Sequence, residues 1–305
     1  MWPKMKIPLI LAVIILSIGI PNAKVVFADP KEDAFIEAAK SGDINKVQQS
    51  VKRLVNVNAR GQNRTTALIE ASGNGHDEIV KLLLSLNASV NFDDADGVTP
   101  LMSAENSGHV SIAQMLLSKG ANVNARDSYG HTALMFAAKT GNVDTAKLLL
   151  DKGAEVDAKD SVTKSALVIA IECRNKDMVG LLLERGANPN LRISEDEMNG
   201  RVEVNGHNKV MHHEVRPLMK AAGAGDVNIV KLLVEKGADV NAKSDRNYTA
   251  LMYAVGSKNK DIVNYLIGKG ADVNMRDEGG KSALRIAQDS RNKDIVDILE
   301  KAGAE

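Results

Sequence analysis

A period of 33 residues constrains this chain more than any other feature of its sequence. The stretch from Thr99 to His131 reads TPLMSAENSGHVSIAQMLLSKGANVNARDSYGH, and Thr132 begins a similar stretch, TALMFAAKTGNVDTAKLLLDKGAEVDAKDSVTK. A fixed period of this length indicates an array of stacked units, because one such unit cannot bury its apolar face alone. Each unit therefore needs its neighbours in order to fold.

The residues of one unit predict its local structure. Thr99 is suited to cap a helix, and Pro100 suits the first helical position, where no amide donor is needed. This short helix is expected to end near Gly108, after which apolar residues at helical spacing predict a second helix. Gly120 follows the second helix, where a left-handed residue closes the backbone. The unit is therefore predicted to be a helix, a turn, a helix and a hairpin loop.

Short motifs within this unit match a known family. They are Thr99-Pro100-Leu101, Ala104, Gly108-His109, Leu116-Leu117 and Gly120-Ala121-Asn122-Val123-Asn124. The unit closely resembles the ankyrin repeat, and the resemblance covers almost all of the chain after residue 28. It implies an all-α repeat solenoid that binds other proteins through a concave face made of hairpin tips and first helices.

The period is regular except at one place. Eight units are expected in residues 29–305, and they start at Asp33, Thr66, Thr99, Thr132, Ser165, Arg216, Thr249 and Ser282. The sixth start is displaced by 18 residues, which marks an insertion at about residues 193–215. Within it, Asn205-Gly206 lies between two runs of strand-forming residues and predicts an extended β-hairpin. We call this insertion the finger; the sequence leaves open whether it is a polar protrusion or contacts a partner.

Smaller departures from the repeat have structural explanations. Polar residues in the first and last units suit ends that face water. Asn87 takes the place of a glycine that follows the second helix elsewhere. Arg174-Asn175, Lys258-Asn259 and Arg291-Asn292 replace the Gly-His turn between the helices. In each of these turns we expect the asparagine to supply the positive φ.

Residues 1–28 do not follow the period. Lys4 and Lys6 precede an uncharged apolar run of 14 residues from Ile7 to Ile20, and a candidate cleavage site ends at Ala28. This pattern resembles a secretory signal peptide. An uncleaved membrane anchor is the alternative, but the run spans about 21 Å as a helix against a bilayer core of about 30 Å. We therefore expect an exported protein, periplasmic or secreted, that does not contact the membrane after cleavage.

Composition and motifs indicate no chemistry. The chain has 39 basic and 39 acidic residues, which gives no electrostatic argument for nucleic acid. We find no nucleophile elbow, phosphate-binding loop, zinc spacing or separate pair of carboxylates. The protein is therefore expected not to be an enzyme, and to have no catalytic residue, cofactor or metal.

Three features invite a chemical interpretation. Cys173, the only cysteine, cannot form an internal disulfide, and its position favours a small helix-terminus residue over a reactive thiol. His207 and His212 are about 17 Å apart along one strand, which argues against a single metal site that also includes His213. The acidic run from Asp93 to Gly97 faintly resembles a calcium loop but lies at an expected hairpin tip.

Aromatic residues give the best indication of a binding surface. Tyr129 and Tyr248 fall at hairpin tips, and Phe136 and Tyr253 fall on the first helices that follow. Exposed aromatic residues are common anchors of protein interfaces; alternatively, these rings pack only against neighbouring loops. Residues expected at a polar rim around them are His131, Lys164, Arg246, Glu278 and Lys281. Their mixed signs predict a partner that is neither strongly acidic nor strongly basic.

These observations leave one leading hypothesis of function. We expect a monomeric, non-enzymatic scaffold that binds another protein, of unknown identity, through its concave groove and its finger. A regulator that inhibits or protects an exported enzyme is the alternative. An enzyme in its own right has almost no support in the sequence.

Overall fold

A computed structural model describes residues 29–204 and 207–305 of the chain. The predicted leader, residues 1–28, and the predicted turn residues Asn205 and Gly206 lie outside the described residues. Among the residues that are described, no helix is long and apolar enough to cross a membrane.

Sixteen α-helices follow one another in eight pairs along the described chain. We call the first helix of each pair the inner helix and the second the outer helix. The inner helices are α1 Pro30–Lys40, α3 Ala67–Gly73, α5 Pro100–Ser107, α7 Ala133–Thr140, α9 Ala166–Glu172, α11 Pro217–Ala224, α13 Ala250–Gly256 and α15 Ala283–Asp289. The outer helices are α2 Ile44–Lys52, α4 Asp77–Ser85, α6 Val110–Ser118, α8 Val143–Asp151, α10 Lys176–Glu184, α12 Val227–Glu235, α14 Lys260–Gly268 and α16 Lys293–Lys301.

The inner and outer helices pack against their neighbours to different extents. Inner helices pack against inner helices of neighbouring units more extensively than outer helices pack against outer ones. The inner helices therefore lie on the concave side, and the outer helices form the convex back. This arrangement confirms the all-α repeat solenoid.

The predicted caps form at the helix ends. The Thr99 hydroxyl accepts a hydrogen bond from the Met102 amide at 3.3 Å, and Pro100 occupies the first turn of α5. Gly108 ends α5 in the left-handed region at φ 78°. The first unit differs, because Asp29 caps α1 and Pro30 begins it. Asp33, the residue at which the period places the start of this unit, therefore lies inside α1.

The turns without glycine differ from the prediction. The positive φ is on Arg174, Lys258 and Arg291, at 55°, 56° and 54°, and not on the asparagines that follow them. Each asparagine instead caps an outer helix; Asn175, for example, accepts a hydrogen bond from the Met178 amide at 3.0 Å. A cap residue needs an extended backbone, so the left-handed conformation falls on the basic residue before it. Asn87, in contrast, has the expected positive φ of 60°.

The core runs through the whole array and is built mainly from aliphatic side chains. Ala137 and Ala138 of α7 are fully buried, as are Leu149 of α8 and Leu116 of α6. Small residues on the inner helices allow close approach between layers, and the leucines of the outer helices fill the remaining space. Phe35 takes a leucine position in α1 and is also fully buried.

Side chains that follow the outer helices, most of them asparagines, connect each unit to the next. Asn124 accepts a hydrogen bond from the Glu155 amide at 2.9 Å and donates one to the Gly153 carbonyl at 3.0 Å. Asn190 makes the same two bonds across the insertion, to Asp239 and Gly237. The insertion therefore leaves the stacking of the fifth and sixth units intact.

The insertion forms the predicted hairpin. Strand β1, Ile193–Val204, pairs antiparallel with β2, His207–Val215, and Val204 lies opposite His207. Two residues therefore connect the strands, as the sequence predicts. The register shifts between Asp196 and Arg201, where β1 has more residues than β2.

The base of the finger is part of the core. Ile193 lies opposite Val215, and their side chains are 0% and 1% exposed. The Ser194 amide donates to the Thr163 hydroxyl on one side at 2.7 Å, and the Asp245 amide donates to the Glu214 carbonyl on the other at 3.3 Å. The finger is therefore attached to the tips of both neighbouring units.

Candidate protein-binding groove

A buried carboxylate holds the tip between the third and fourth units. Asp127 accepts hydrogen bonds from the amides of Tyr129 at 2.9 Å and His131 at 2.8 Å. The Asp127 amide also donates to the His131 carbonyl at 3.1 Å, which closes the turn. Asp94 and Asp160 hold their own tips in the same way. This arrangement fixes the backbone from which Tyr129 and His131 extend.

Consecutive tips are also joined to one another. The Ser128 amide donates to the Asp96 carbonyl at 2.7 Å, and the Ser161 amide donates to the Tyr129 carbonyl at 2.8 Å. The same bond joins Glu278 to Arg246 at 3.0 Å. The tips therefore form a connected edge along the concave side.

Three predicted partner-binding residues come together as one aromatic cluster. The rings of Tyr129 and His131 have centroids 5.9 Å apart, and those of His131 and Phe136 are 5.5 Å apart. Tyr129 is 60% exposed, whereas His131 and Phe136 are half-buried. His131 was expected at the polar rim, but it lies between the two rings. Its Nδ1 is 2.9 Å from a carboxylate oxygen of Asp127, which orients the imidazole.

A second aromatic cluster lies at the seventh unit. The rings of Tyr248 and Tyr253 meet edge to face, with centroids 5.5 Å apart and planes at 68°. Ser244 takes the place of the tip aspartate and accepts from the Tyr248 amide at 3.0 Å. Tyr253 also lies against Gly223 of the preceding inner helix, where an added Cβ would come within 3.3 Å of the ring.

Between the two clusters, Ile169 and Lys220 occupy the positions equivalent to Phe136 and Tyr253. We call this surface the aromatic groove and define it by Tyr129, His131, Phe136, Ile169, Lys220, Tyr248 and Tyr253. Neighbouring helices pack about 8–10 Å apart, so its two aromatic clusters are separated by roughly 30 Å. The alternative interpretation of the aromatic residues holds in part, because Phe136 and Tyr253 do contact residues of the tips that precede their helices.

Lys164, expected at the rim, belongs instead to an ion-pair network in the middle of the groove. Lys164 and Lys220 each place their Nζ 2.9 Å from a carboxylate oxygen of Glu172. Burial acts to raise the pKa of Glu172, but the hydrogen bonds and charges of the two lysines outweigh burial and lower it. Glu172 therefore stays ionised and ties the fifth unit to the sixth.

A cleft of about 370 Å³ opens beside this network. Its walls combine apolar side chains with Arg174 and the ring of Tyr253 at the base of the finger. The lining residues are Ile171, Glu172, Arg174, Val215, Met219, Lys220, Gly223, Ala224 and Tyr253. The cleft is large enough for one or two side chains of a bound protein.

The other rim residues lie at the C-terminal end of the array. Glu278 and Lys281 are exposed on the last tip, and Arg246 is half-buried on the tip before it. Lys281 forms a 2.8 Å ion pair with Asp289, and this hydrogen bond raises the pKa of Lys281. The rim at this end is therefore partly neutralised within the chain.

Two of the three features that invited a chemical interpretation have structural roles. Cys173 caps the end of α9, and its thiol is 3.7 Å from the Lys139 carbonyl. In the acidic run, Asp93 pairs with Arg64 at 3.1 Å while Asp94 holds its tip.

The side chains of residues 195–213, including the three finger histidines, lie outside the description. Elsewhere in the described chain no group of three or more histidine, cysteine or acidic residues could hold a metal ion.

Three functional positions were not found from the sequence. Asp127 carries a signal, because an Asp-x-x-Gly pattern recurs at several tips, but its role depends on the folded turn. Glu172 and Lys220 are separated by the insertion, and no spacing in the sequence indicates that they pair.

Comparison with known families agrees with this geometry. A family model for ankyrin repeats (3 copies) matches residues 35–127, 125–193, 200–277 and 218–305. No curated protein matches the chain. The matched segments include the aromatic groove and span nearly all of the described residues. The chain therefore belongs to the ankyrin-repeat family.

Proposed function

We propose that this protein is an exported, non-enzymatic scaffold that binds a segment of another protein in the aromatic groove. Ankyrin repeats are general protein–protein interaction modules. The single observation that carries the choice of surface is the pair of aromatic clusters on the concave side. Tyr129 in particular is 60% exposed on a backbone fixed by Asp127.

A rigid, exposed aromatic side chain is a favourable anchor for a partner. Interface energy concentrates in a few large side chains, aromatic ones above all. A ring that is already held in place loses little conformational entropy when a partner covers it. The hydrogen bonds between tips hold the groove in one shape before binding.

The proposal of export is supported by the charge and apolar pattern of residues 1–28. The proposed mature chain begins at Asp29, and N-terminal sequencing of the exported form checks that site. A form that retains residues 1–28 contradicts this part of the proposal.

The finger supports a second candidate function, regulation of an exported enzyme. Its strands have 12 and 9 residues, whereas each ordinary tip has about five. A nine-residue strand is about 30 Å long, so the finger is long enough to reach into a partner's cleft. Because its base is buried, the finger is anchored firmly enough to do so.

One set of variants tests the groove. In the groove variant, Tyr129, Phe136, Tyr248 and Tyr253 are replaced by alanine. Its control replaces four half-buried residues of the outer helices by alanine, namely Met115, Leu148, Leu181 and Tyr265. Both variants lose packing, so their thermal midpoints should fall by similar amounts. Partner capture from the exported compartment, followed by mass spectrometry, should fail for the groove variant alone.

A shortened finger separates the two candidate functions. Residues 195–213 are replaced by Asn-Gly, which keeps the buried pair Ile193 and Val215. If the protein is a scaffold, the shortened-finger variant should capture the same partner as the wild type. If it is a regulator, this variant should capture the partner but no longer change the partner's activity.

For the groove variant, partner capture that survives the four substitutions overturns the groove assignment.

A further inference from the structure

The concave side differs in chemistry between its two halves. The aromatic groove covers the fourth to seventh units, and its lysines near the centre are paired with Glu172. The first three units present two clefts of about 380 and 240 Å³ on the same side. We call these two clefts together the acidic groove.

Carboxylates dominate the acidic groove. The residues lining its two clefts include five acidic side chains and one basic one, a net charge of −4. The acidic ones are Asp33, Glu37, Glu70, Asp94 and Asp96, and the basic one is Lys40. Glu37 and Asp96 are exposed, whereas Asp33, Glu70 and Asp94 are half-buried. Among the described residues, none of these five carboxylates forms an ion pair.

The convex back does not show this imbalance. Outer helices carry acidic and basic residues close together, as in Glu78 with Lys81 and Asp144 with Lys147. Arg60 and Arg64, which adjoin lining residues in the chain, pair with Asp93, and Asp93 lines neither cleft. The negative charge of the acidic groove is therefore open to a partner.

We propose that the partner segment carries apolar or aromatic residues that occupy the aromatic groove and basic residues that face the acidic groove. This inference rests on the proposed function and adds the chemistry and direction of the bound segment. The tips of the later units carry charges of both signs and so predict no particular charge for the partner. The acidic groove of the first three units predicts a positive charge on the part of the segment that faces it.

The distance between the two grooves predicts how far apart the basic and apolar blocks lie in the partner segment. Units repeat about every 8–10 Å, so the centre of the acidic groove lies roughly 30 Å from the centre of the aromatic groove. An extended chain rises about 3.3 Å per residue. An extended partner segment would therefore separate its basic and apolar blocks by roughly nine residues.

The two blocks contribute differently to binding. The apolar block gains from burial against the aromatic rings, which is insensitive to salt. The basic block gains from long-range attraction, which speeds association and weakens as salt rises. Binding should therefore show a salt dependence that originates in the first three units, far from the aromatic anchors.

A charge-neutral variant tests this inference. It carries Glu37→Gln, Glu70→Gln and Asp96→Asn, which preserve side-chain size. A control variant carries Glu78→Gln, Asp144→Asn and Asp177→Asn on the outer helices, where all three residues are exposed. The net charge changes equally in both variants, so only its location differs.

The probe is a phage-displayed library of random 20-residue peptides, selected against the purified protein. We expect the enriched peptides to contain an apolar block and a basic block. At low salt, the charge-neutral variant should bind them about tenfold more weakly, and the control should bind them as the wild type does. Added salt should weaken binding to the wild type much more than binding to the charge-neutral variant.

The other possible results distinguish a failure of this inference from a failure of the proposed function. Peptides without a basic block, or peptides that bind the charge-neutral variant normally, overturn this inference. If those peptides still fail to bind the groove variant, the proposed function survives alone. This inference and the proposed function are both overturned if the peptides bind the groove variant normally. They are also both overturned if no selected peptide depends on the aromatic groove or on the acidic groove.

Discussion

Glu105 is the one described acidic side chain that is almost fully buried without a charged partner. It lies on α5, at a position where α7 and α11 have alanine, and it is 1% exposed. One carboxylate oxygen accepts a hydrogen bond from the Thr145 hydroxyl at 3.0 Å, and the other has no partner. Burial raises the pKa of Glu105 to about 7, and the Thr145 hydrogen bond opposes this only in part.

This burial predicts a pH-dependent stability. Between the unfolded pKa of 4.5 and the folded pKa of about 7, the native state keeps a proton that the unfolded state releases. The wild type should therefore lose stability as pH rises across this range, by roughly 3 kcal/mol at most. Glu105→Gln is neutral at every pH, so it should match the wild type near pH 5 and exceed it at pH 8.

Denaturant unfolding of both proteins between pH 5 and pH 8 measures the difference. The exposed substitution Glu78→Gln is the control; because it keeps Glu105, its stability should fall with pH in parallel with the wild type. Equal slopes for the wild type and Glu105→Gln would contradict the buried placement of this carboxyl group.

At the scale of elements, side chains that follow the outer helices, most of them asparagines, couple each unit to the next. Asn124 bridges the third and fourth units with two hydrogen bonds, as acceptor and as donor. Asp157 stands at the same position one unit later, and it accepts from the Asn188 amide but has no amide donor. The chain therefore contains both the complete connection and a reduced form of it.

Substitution of Asn124 tests this coupling. A hydrogen bond contributes about 1 kcal/mol net, so Asn124→Ala should lower the free energy of unfolding by about 2 kcal/mol. Asn124→Asp, which keeps only the acceptor, should cost about half as much. Chemical unfolding measures both values, and hydrogen exchange should show the loss at the boundary between α6 and α8. No difference between the two substitutions would argue against a bridging role.

The helices and the finger also show which structural features could be predicted from the sequence alone. Thr99, Pro100 and Gly108 act locally, so their positions predicted the inner helix and its ends. Asn205-Gly206 predicted the finger for the same reason. The turn at Arg174 was assigned wrongly because two demands, a left-handed residue and a helix cap, compete for adjacent positions.

At the scale of the whole molecule, the period was enough to place Tyr129, Phe136, Tyr248 and Tyr253 on the concave side. The period could not show that His131 would insert between two rings, since that depends on the Asp127 carboxylate. Nor could it show that Lys164 would turn inward to Glu172. These contacts join residues whose side-chain directions are set only when the tips and helices have packed.

The aromatic groove and the acidic groove lie in sequence along one curved surface, so a single partner segment can contact both. The finger extends from the edge of this surface between the two aromatic clusters. A partner held in the aromatic groove therefore passes its base.

The most direct test of the central claim is site-specific photo-crosslinking from the aromatic groove. A benzophenone amino acid replaces Tyr129 on the concave side or, as a control, the exposed Gln114 on the outer helix α6. In the presence of the captured partner, illumination should give a covalent adduct from position 129 and none from position 114. Adducts from position 114 alone, or equal yields from both positions, would contradict binding in the groove.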